Sequence, residues 1–347
     1  MKQARILSVV RRWYYGRSGA LEPLHLYFTK PLQDLGCEVT TFDHFAISAR
    51  FGKDRATAML LDLLARGEFS LMLYQSAGIH EPIDTGALRG IAGKTCTMCW
   101  NSDDDWQWEN WTSQLTRDFS YVVTTYRKVF ETARQIHSNV LLSQWACYEK
   151  LGGPAAVQDI AFSFVGGAYR HRNGECRYLS NAAGLRVFGR GSRLVRLGLP
   201  FFRGVFHIPF LAGEALSFEQ TNAVWARSRV SFTPLRGAHP GVNGGLQIKG
   251  RVFEMGNTGT LMLCDQNPAL EEFYEPGKEF VAYHDLVDCA EKAKFFTFHE
   301  DARRKIALRY RERTLRDHLW RYRMQALLKV AGIRAAESVS AGAAAIC

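Results

Sequence analysis

The sequence predicts an α/β protein built from two doubly wound parallel sheets, and three observations lead to that prediction. The chain has 347 residues, whereas single hydrophobic cores stop growing near about 250–300 residues. Short apolar segments rich in β-formers alternate with helical patterns, which is typical of parallel sheets with crossover helices. This alternation is interrupted at Leu151-Gly152-Gly153-Pro154 and then starts again. We therefore expect one domain over residues 1–153 and a second over 154–310.

The first half opens with the apolar run ARILSVV, which is followed by a glycine turn and a helical pattern. Strands separated by helices of this length predict one parallel sheet. The predicted strands cover residues 4–10, 38–42, 70–75, 95–100 and 121–125, and the predicted helices cover 22–35 and 54–66.

The second half repeats this alternation, and two of its strands run into glycine turns, Gly166-Gly167 and Gly189-Arg190-Gly191. A second parallel sheet is therefore expected. The predicted strands cover residues 160–165, 186–188, 229–233 and 260–264, and the predicted helices cover about 174–183, 217–227, 248–257, 268–274 and 285–296.

The C-terminal region predicts a long basic helix and a disordered tail. Apolar residues recur near the helical period over residues 300–329. Residues 301–330 hold ten Lys and Arg against three Asp and Glu, a net charge of +7. Such a helix suits an anionic partner, and an anionic membrane surface is one such partner. Residues 331–347 are small and weakly patterned, so we expect them to be disordered.

Composition and cysteine spacing exclude several classes of protein. Apolar residues make up 47% and charged residues 22% of the chain, so a disordered or fibrous protein is excluded. No apolar run approaches the roughly 18 residues of a transmembrane helix, and we expect a cytoplasmic protein. The eight cysteines are scattered, which predicts reduced thiols. Cys96 and Cys99 lack a second pair at zinc spacing, so we expect them to be core residues. No nucleic-acid recognition motif is present.

Ligands of open parallel sheets bind beyond the carboxyl ends of the strands, so the loops after the strands are the candidate sites. Gly16 and Gly19 follow the first strand, and their spacing is not that of a dinucleotide fingerprint. Gly166 and Arg190 follow the first two strands of the second half. A turn without a ligand remains an equally good interpretation of such glycines.

The segment over residues 237–259, GAHPGVNGGLQIKGRVFEMGNTG, is the richest candidate site. Gly244 and Gly245 permit close backbone approach to a ligand, and the start of the following helix attracts phosphate. Arg251 can bind phosphate bidentately, and Glu254, three residues later on the same helical face, can accept hydrogen bonds from a ribose. Lys249 can join them only from the first turn. The alternative is an ordinary surface helix with an Arg–Glu pair.

The residues KGRVFEMGNTGTLMLCDQNPALEEFYEPGKEFVAYHDLVDCAEKAKFF and the earlier FSFVGGAYRHRNGECRYLSNAAGLRVFGRG resemble the CgeB-like glycosyltransferases of the spore-maturation type, relatives of the group 1 glycosyltransferases. This resemblance covers about residues 160–325. It implies the GT-B fold, in which two Rossmann-like domains face each other across a cleft. The second domain would bind a nucleoside-diphosphate sugar and the first would bind the acceptor.

The resemblance also implies roles for particular residues. Arg251 and Glu254 take the phosphate and ribose positions, and a C-terminal helix, expected over residues 311–330, returns to the first domain. Many retaining relatives carry a Glu eight positions before the ribose Glu, whereas this chain has Leu246 there. The stereochemical outcome therefore stays open.

Acidic and imidazole side chains in two loops of the first half are candidates for the base that removes a proton from the acceptor hydroxyl. His80 and Glu81 follow the third strand, and Asp103 and Asp104 follow the fourth. The second loop, NSDDDWQWENW, also contains tryptophans whose faces suit a sugar ring. Aromatic packing beneath a solvated acidic turn is an alternative for this loop, and a structural histidine is an alternative for His80.

The sequence thus predicts a metal-independent glycosyltransferase without a cofactor, which moves a sugar from a nucleoside-diphosphate donor to a hydroxyl acceptor. Asp103-Asp104-Asp105 contains the Asp-x-Asp spacing of metal-dependent enzymes, but the nucleotide features lie in the other half of the chain. Two alternatives remain, a nucleotide-sugar epimerase on the same scaffold and a non-catalytic nucleotide-binding protein. The expected acceptor is a glycan, a lipid-linked sugar or a small molecule.

Overall fold

The structure is a computed structural model that describes residues 3–13, 20–91, 93–168, 171–199, 214–235 and 248–334. These residues form two compact units. The first contains the described residues up to Trp145 and those from Trp320 onward, and the second contains those from Ala146 to Leu319. The chain therefore leaves the first unit eight residues before the predicted boundary at 153 and returns to it at Trp320.

The first unit is built on a six-stranded sheet in which every neighbouring pair is parallel. Its strand order is β2-β1-β3-β4-β5-β6, so the chain starts near the middle of the sheet and winds outward in both directions. The strands are β1 (Arg5–Val9), β2 (Glu38–Phe42), β3 (Leu71–Gln75), β4 (Cys96–Asn101), β5 (Tyr121–Thr124) and β6 (Val140–Leu142).

The helices of the first unit cover the faces of this sheet. The helix predicted over residues 22–35 is two short helices in the structure, because Pro31 stands in the first turn of the second one and cannot continue a helix. The described α-helices of this unit up to Trp145 are α1 (Pro23–Tyr27), α2 (Lys30–Asp34), α3 (His44–Phe51), α4 (Lys53–Gly67), α5 (Asp104–Gln107) and α6 (Arg127–Ala133).

The second unit is built on a five-stranded parallel sheet with the order β11-β10-β9-β7-β8. Strands β7 and β8 have the bounds that the sequence predicts, and β11 was not predicted. The strands are β7 (Ile160–Val165), β8 (Arg186–Phe188), β9 (Ser228–Thr233), β10 (Leu261–Asp265) and β11 (Val281–Tyr283). The described helices of this unit are α7 (His171–Ala183), α8 (Ser192–Arg196), α9 (Phe218–Ala226), α10 (Gly250–Glu254), α11 (Leu286–Phe298) and α12 (Glu300–Asp317).

The long helix predicted over residues 300–329 is broken in the structure. Helix α12 ends at Asp317, and a separate helix, α13, covers Trp320–Val330 in the first unit. The break occurs because the His318 carbonyl accepts the Cys147 N–H at 2.8 Å and Leu319 pairs with Cys147 as an isolated bridge. An extended pairing of this kind is incompatible with helical backbone.

Each unit has its own apolar core between its sheet and its helices. In the first unit the buried strand residues pack against α4, as Leu60 and Leu64 do. In the second they pack against α7 and α11, where Leu179 and Cys289 are fully buried. No helix of the described residues is both long enough and apolar enough to cross a bilayer.

Candidate functional site

The carboxyl ends of β7 and β8 approach each other through two glycines. Gly166 has a φ of +142°, and Gly189 has a φ of +106°. A Cβ atom on Gly189 would stand 2.7 Å from the Gly166 carbonyl oxygen, which is closer than such atoms approach. The Gly166 N–H donates to the Phe188 carbonyl at 3.0 Å. Only glycine at these two positions permits the loops after β7 and β8 to approach this closely. The backbone bend at Gly166 is called the Gly166 turn below.

Arg251 lies against the Gly166 turn. Its guanidinium would be 3.3 Å (Nη1) and 3.6 Å (Nη2) from a Cβ on Gly166. The Arg251 side chain comes from α10, a single helical turn that continues into a 3₁₀ turn at Met255–Asn257. Because Val252 and Phe253 are fully buried, this short helix is anchored from its inner side. Two of the residues that the sequence predicts to bind a donor, Gly166 and Arg251, are thus brought together.

A second arginine, which sequence reasoning did not select, lies beside the same turn. Arg172 is 2% exposed, and its Nη1 donates to the Gly167 carbonyl at 3.3 Å. The guanidinium carbons of Arg172 and Arg251 lie 5.9 and 6.0 Å from the centre of the Phe164 ring. Two cations therefore share one aromatic side chain at the end of β7. The signal available in the sequence was a basic residue in the first turn after the first strand of this unit.

Other predicted donor residues lie near the ends of the same strands. Arg190 is half-buried in the turn after β8, where its carbonyl accepts the Ala168 N–H at 2.8 Å. Lys249 is the N-cap residue of α10, and Glu254 is that helix's last residue; both are half-buried. Helix α10 is shorter than the predicted helix over 248–257. The predictions for Gly16, Gly19, Gly244 and Gly245 lie outside the residues that the structure describes.

A buried carboxylate joins the ends of three strands in the second unit. Asp265, the last residue of β10, accepts the Leu235 N–H at 2.6 Å and the hydroxyl of Tyr283. Burial and the Asp265 charge raise the pKa of Tyr283, so the phenol stays protonated and keeps donating. Leu235 follows β9, and the glycine-rich segment begins two residues later. Sequence reasoning missed Asp265 because its partners are distant in the chain.

In the first unit, His80 and Glu81 occupy different environments. His80 is exposed at the end of the 3₁₀ turn Gly78–His80. Glu81 is only 7% exposed, and its carboxylate accepts hydrogen bonds from the loop that contains it. Burial raises the pKa of Glu81, and the hydrogen bonds from Ser76, Tyr74 and Ala77 oppose that rise.

The two predicted aspartates of the next loop also point to different environments. Asp103 is exposed before α5, whereas Asp104 is fully buried. Among the four tryptophans of this loop, Trp106 is 40% exposed, and Trp100 is buried among aromatic rings. Of the predicted sugar-binding aromatic surface, Trp106 therefore presents the largest accessible face.

Within the described part of the chain, no group of three or more His, Cys, Asp or Glu side chains is placed to hold a metal ion. The seven described cysteines are free thiols, and all but Cys96 are buried. Burial raises the pKa of the Cys96 thiol to about 11, which keeps it protonated at neutral pH. The Cys96–Cys99 pair is therefore part of a strand core, as the sequence predicts.

Residues 165–329 match the model of a family described as glycosyl transferase-like. The match covers just under half of the chain and most of the second unit. That part of the protein is therefore similar to glycosyl transferase-like domains. No curated protein matches the chain.

Solved structures with the same architecture cover nearly the whole chain. Sucrose-phosphate synthase from Thermosynechococcus elongatus has a TM-score of 0.63 and 11% identity over 94% of this chain and 99% of that chain. Alr3699/HepE from Anabaena, in complex with UDP and glucose, has a TM-score of 0.61 and 11% identity over 95% and 100%. A protein described as a candidate UDP-N-acetylglucosamine 2-epimerase from Listeria monocytogenes has a TM-score of 0.50 and 10% identity over 88% and 91%. The fold is GT-B, with two Rossmann-like domains.

Proposed function

We propose that this protein is a glycosyltransferase of the CgeB-like kind, which transfers a sugar from a nucleoside-diphosphate donor to a hydroxyl acceptor. The observation that carries the proposal is the Arg251 guanidinium against the Gly166 turn. The guanidinium of Arg172 lies near the same Phe164 ring as that of Arg251. Cations next to exposed backbone at the carboxyl end of a parallel strand suit a diphosphate. The family match of the same unit supports this chemistry.

Stabilisation of the leaving diphosphate is the main catalytic contribution in this proposal. Negative charge grows on the diphosphate as the glycosidic bond to the donor breaks, and cations held in advance stabilise that charge. Arg251 takes this role, with Lys249 joining from the N-cap of α10. Glu254, on the same face as Arg251, accepts hydrogen bonds from the ribose. Gly244 and Gly245, which permit close backbone approach, are proposed to complete the phosphate contact.

On the acceptor side, a base accepts the proton of the attacking hydroxyl. His80 and Asp103 are the two exposed candidates, while Glu81 and Asp104 are buried. We therefore propose His80 as the base, with Asp103 as the second candidate. Trp106, whose face is accessible, is proposed to contact the acceptor sugar.

Replacement of Arg251 tests the proposal directly. Arg251→Ala is expected to lose about 2–4 kcal/mol of transition-state stabilisation, a roughly 30- to 1000-fold fall in kcat/KM. Arg66→Ala is the matched control, because that arginine is 79% exposed on α4. UDP-sugars are the first donors to try, since the Anabaena neighbour holds UDP and glucose. Normal turnover by Arg251→Ala would contradict the assignment, and donor conversion without any acceptor would indicate an epimerase.

We propose that transfer requires neither a metal ion nor a cofactor, because arginines would neutralise the diphosphate. Activity should survive excess EDTA in metal-free buffer. Loss of activity that Mg²⁺ or Mn²⁺ restores would contradict this part of the proposal.

We further propose a cytoplasmic enzyme that contacts anionic membranes peripherally, which suits a lipid-linked acceptor. Helix α12 presents Arg304, Lys305 and Arg309 to solvent around the exposed Leu308, and Phe298, just before it, is 82% exposed. Cations with exposed apolar side chains favour an anionic bilayer surface. Co-sedimentation with phosphatidylserine-containing vesicles at low salt, but not with phosphatidylcholine vesicles, is the expected result. Equal binding to both would contradict it.

A further inference from the structure

The loop after β3 is organised around one carboxylate. Glu81 closes the segment over 76–81, and its side chain turns back beneath that segment. Its Oε1 atom accepts the Ser76 hydroxyl at 2.6 Å and the Ala77 N–H at 2.9 Å. Its Oε2 atom accepts the hydroxyl of Tyr74, which comes from the buried end of β3. Both ends of the loop are therefore tied to the same group.

The hydrogen bonds continue to Gly78, two residues before His80. The Ser76 hydroxyl oxygen also accepts the Gly78 N–H at 3.1 Å, so three consecutive residues depend directly or indirectly on the carboxylate. Gly78 has a φ of +69°, and a Cβ there would stand 2.6 Å from the Gln107 amide oxygen. The loop is thus also held against the end of α5.

Tyr74 connects this arrangement to the core of the first unit. It is fully buried, and its ring lies 5.0 Å from the ring of His44 and 5.2 Å from that of Phe119. A tyrosine fixed in this way holds the carboxylate at a defined position relative to β3. Since Glu81 and His80 are neighbours in the chain, that position sets the position of the exposed imidazole.

We propose that Glu81 is a positioning residue whose carboxylate fixes the 76–81 loop so that His80 can accept the proton of the acceptor hydroxyl. This inference rests on the proposed transferase function. It separates the two adjacent residues that the sequence predicts as alternative bases: His80 meets the acceptor, and Glu81 acts through it. The three hydrogen bonds to Glu81 occupy the carboxylate with donors of its own unit, which leaves the exposed imidazole as the group that faces a ligand.

The test is a double-mutant cycle on the full-length protein. In Glu81→Gln, an –NH2 donor replaces one of the two oxygens that accept from Tyr74, Ser76 and Ala77. We expect kcat to fall roughly 10- to 100-fold with donor KM unchanged, because small misplacements of a catalytic group have effects of that size. Tyr74→Phe should lower kcat in the same direction. In a His80→Ala background, Glu81→Gln should produce no further loss of kcat. Glu131→Gln, an exposed carboxyl on α6 of the same unit, is the matched control.

Three results would overturn the inference: wild-type kcat in Glu81→Gln, the same fold-loss in the presence and absence of His80, or wild-type kcat in His80→Ala. Hydrogen exchange over residues 76–81, which needs no substrate, should rise in Glu81→Gln while the rest of the first unit is unchanged. If the wild-type protein transfers no sugar, the transferase proposal fails, whereas the exchange experiment still decides whether Glu81 fixes the loop. Unchanged exchange there would overturn the positioning role independently.

Discussion

Glu22 shows how burial changes the chemistry of a single carboxyl group in this protein. It precedes α1 near the carboxyl end of β1, where its N–H donates to the Arg12 carbonyl at 3.0 Å. Burial raises the pKa of Glu22 from 4.5 to about 7, although the nearby Arg11 opposes the rise. The group therefore ionises at higher pH in the folded protein than in the unfolded chain.

This difference predicts that stability falls with rising pH. Below pH 4.5 both states are protonated, and the contribution of Glu22 is fully present; it is lost as the pH rises to about 7. The free energy of unfolding should fall by about 3 kcal/mol over that interval on account of this group. Glu22→Gln should remove that fall, as denaturant titrations at both ends of the interval would measure. An unchanged pH dependence in the variant would contradict the prediction.

Single residues were predictable where their type and spacing carried the chemistry. Arg251 is an example: an arginine at the start of a helix after a glycine-rich segment led to a predicted phosphate contact, and the structure brings it against Gly166, while the phosphate contact itself stays a prediction. Arg172 and Asp265 were missed, because their importance depends on burial and on partners from other strands. The contrast between His80 and Glu81 was invisible for the same reason: exposure is a property of the fold.

Some strands were predicted to the residue, both inside a sheet and at its edges. Strands β2, β7 and β8 have the predicted bounds. The two missed strands, β6 and β11, have three residues each and lie at sheet edges, where little apolar surface is needed. The break between α12 and α13 escaped prediction because the hydrogen bond from Cys147 that ends α12 comes from a residue 171 positions earlier.

The packing of α12 within the second unit depends on a glycine, Gly256, that leaves room for the buried Thr314 of α12. A Cβ on Gly256 would clash with three atoms of Thr314, which is fully buried: Oγ1, Cβ at 2.8 Å and Cγ2 at 2.9 Å. The Thr314 hydroxyl donates to the Tyr310 carbonyl at 2.8 Å, so its rotamer is fixed. An added methyl group therefore meets a side chain that cannot turn away.

Gly256→Ala is expected to destabilise the second unit by about 1–3 kcal/mol through overpacking. Thr314→Ala removes two of the three clashing atoms, so the glycine substitution should cost less in that background. Gly174→Ala is the matched control, since nothing lies within 4 Å of its added Cβ and helical alanine is favoured over glycine by about 0.5–1 kcal/mol. Equal costs of Gly256→Ala in both backgrounds, measured by chemical denaturation, would show that Thr314 is not the obstacle.

At the scale of the whole molecule, the two ends of the described chain belong to one unit. Helix α13 lies in the first unit, where the Trp320 ring stacks on Tyr27 at 4.7 Å and lies 5.5 Å from Trp100. Trp145 also meets Trp320, edge to face at 6.2 Å. The helical period of residues 300–329 revealed an apolar face but not its partner; only the family resemblance implied a returning helix.

Because Trp320 is fully buried among residues of the first unit, we expect its removal to destabilise the first unit and not the second. Trp320→Ala should lower the stability of the first unit by about 3–5 kcal/mol, the usual effect of removing a buried aromatic side chain. Hydrogen exchange followed by mass spectrometry should then be faster in β3 and β4, with β7 and β10 unchanged. Phe298→Ala, which removes an exposed ring of similar chemistry, should change neither sheet. Faster exchange in both sheets would contradict this prediction. It would mean that the two units unfold together, so that lost stability in the first unit also speeds exchange in the second.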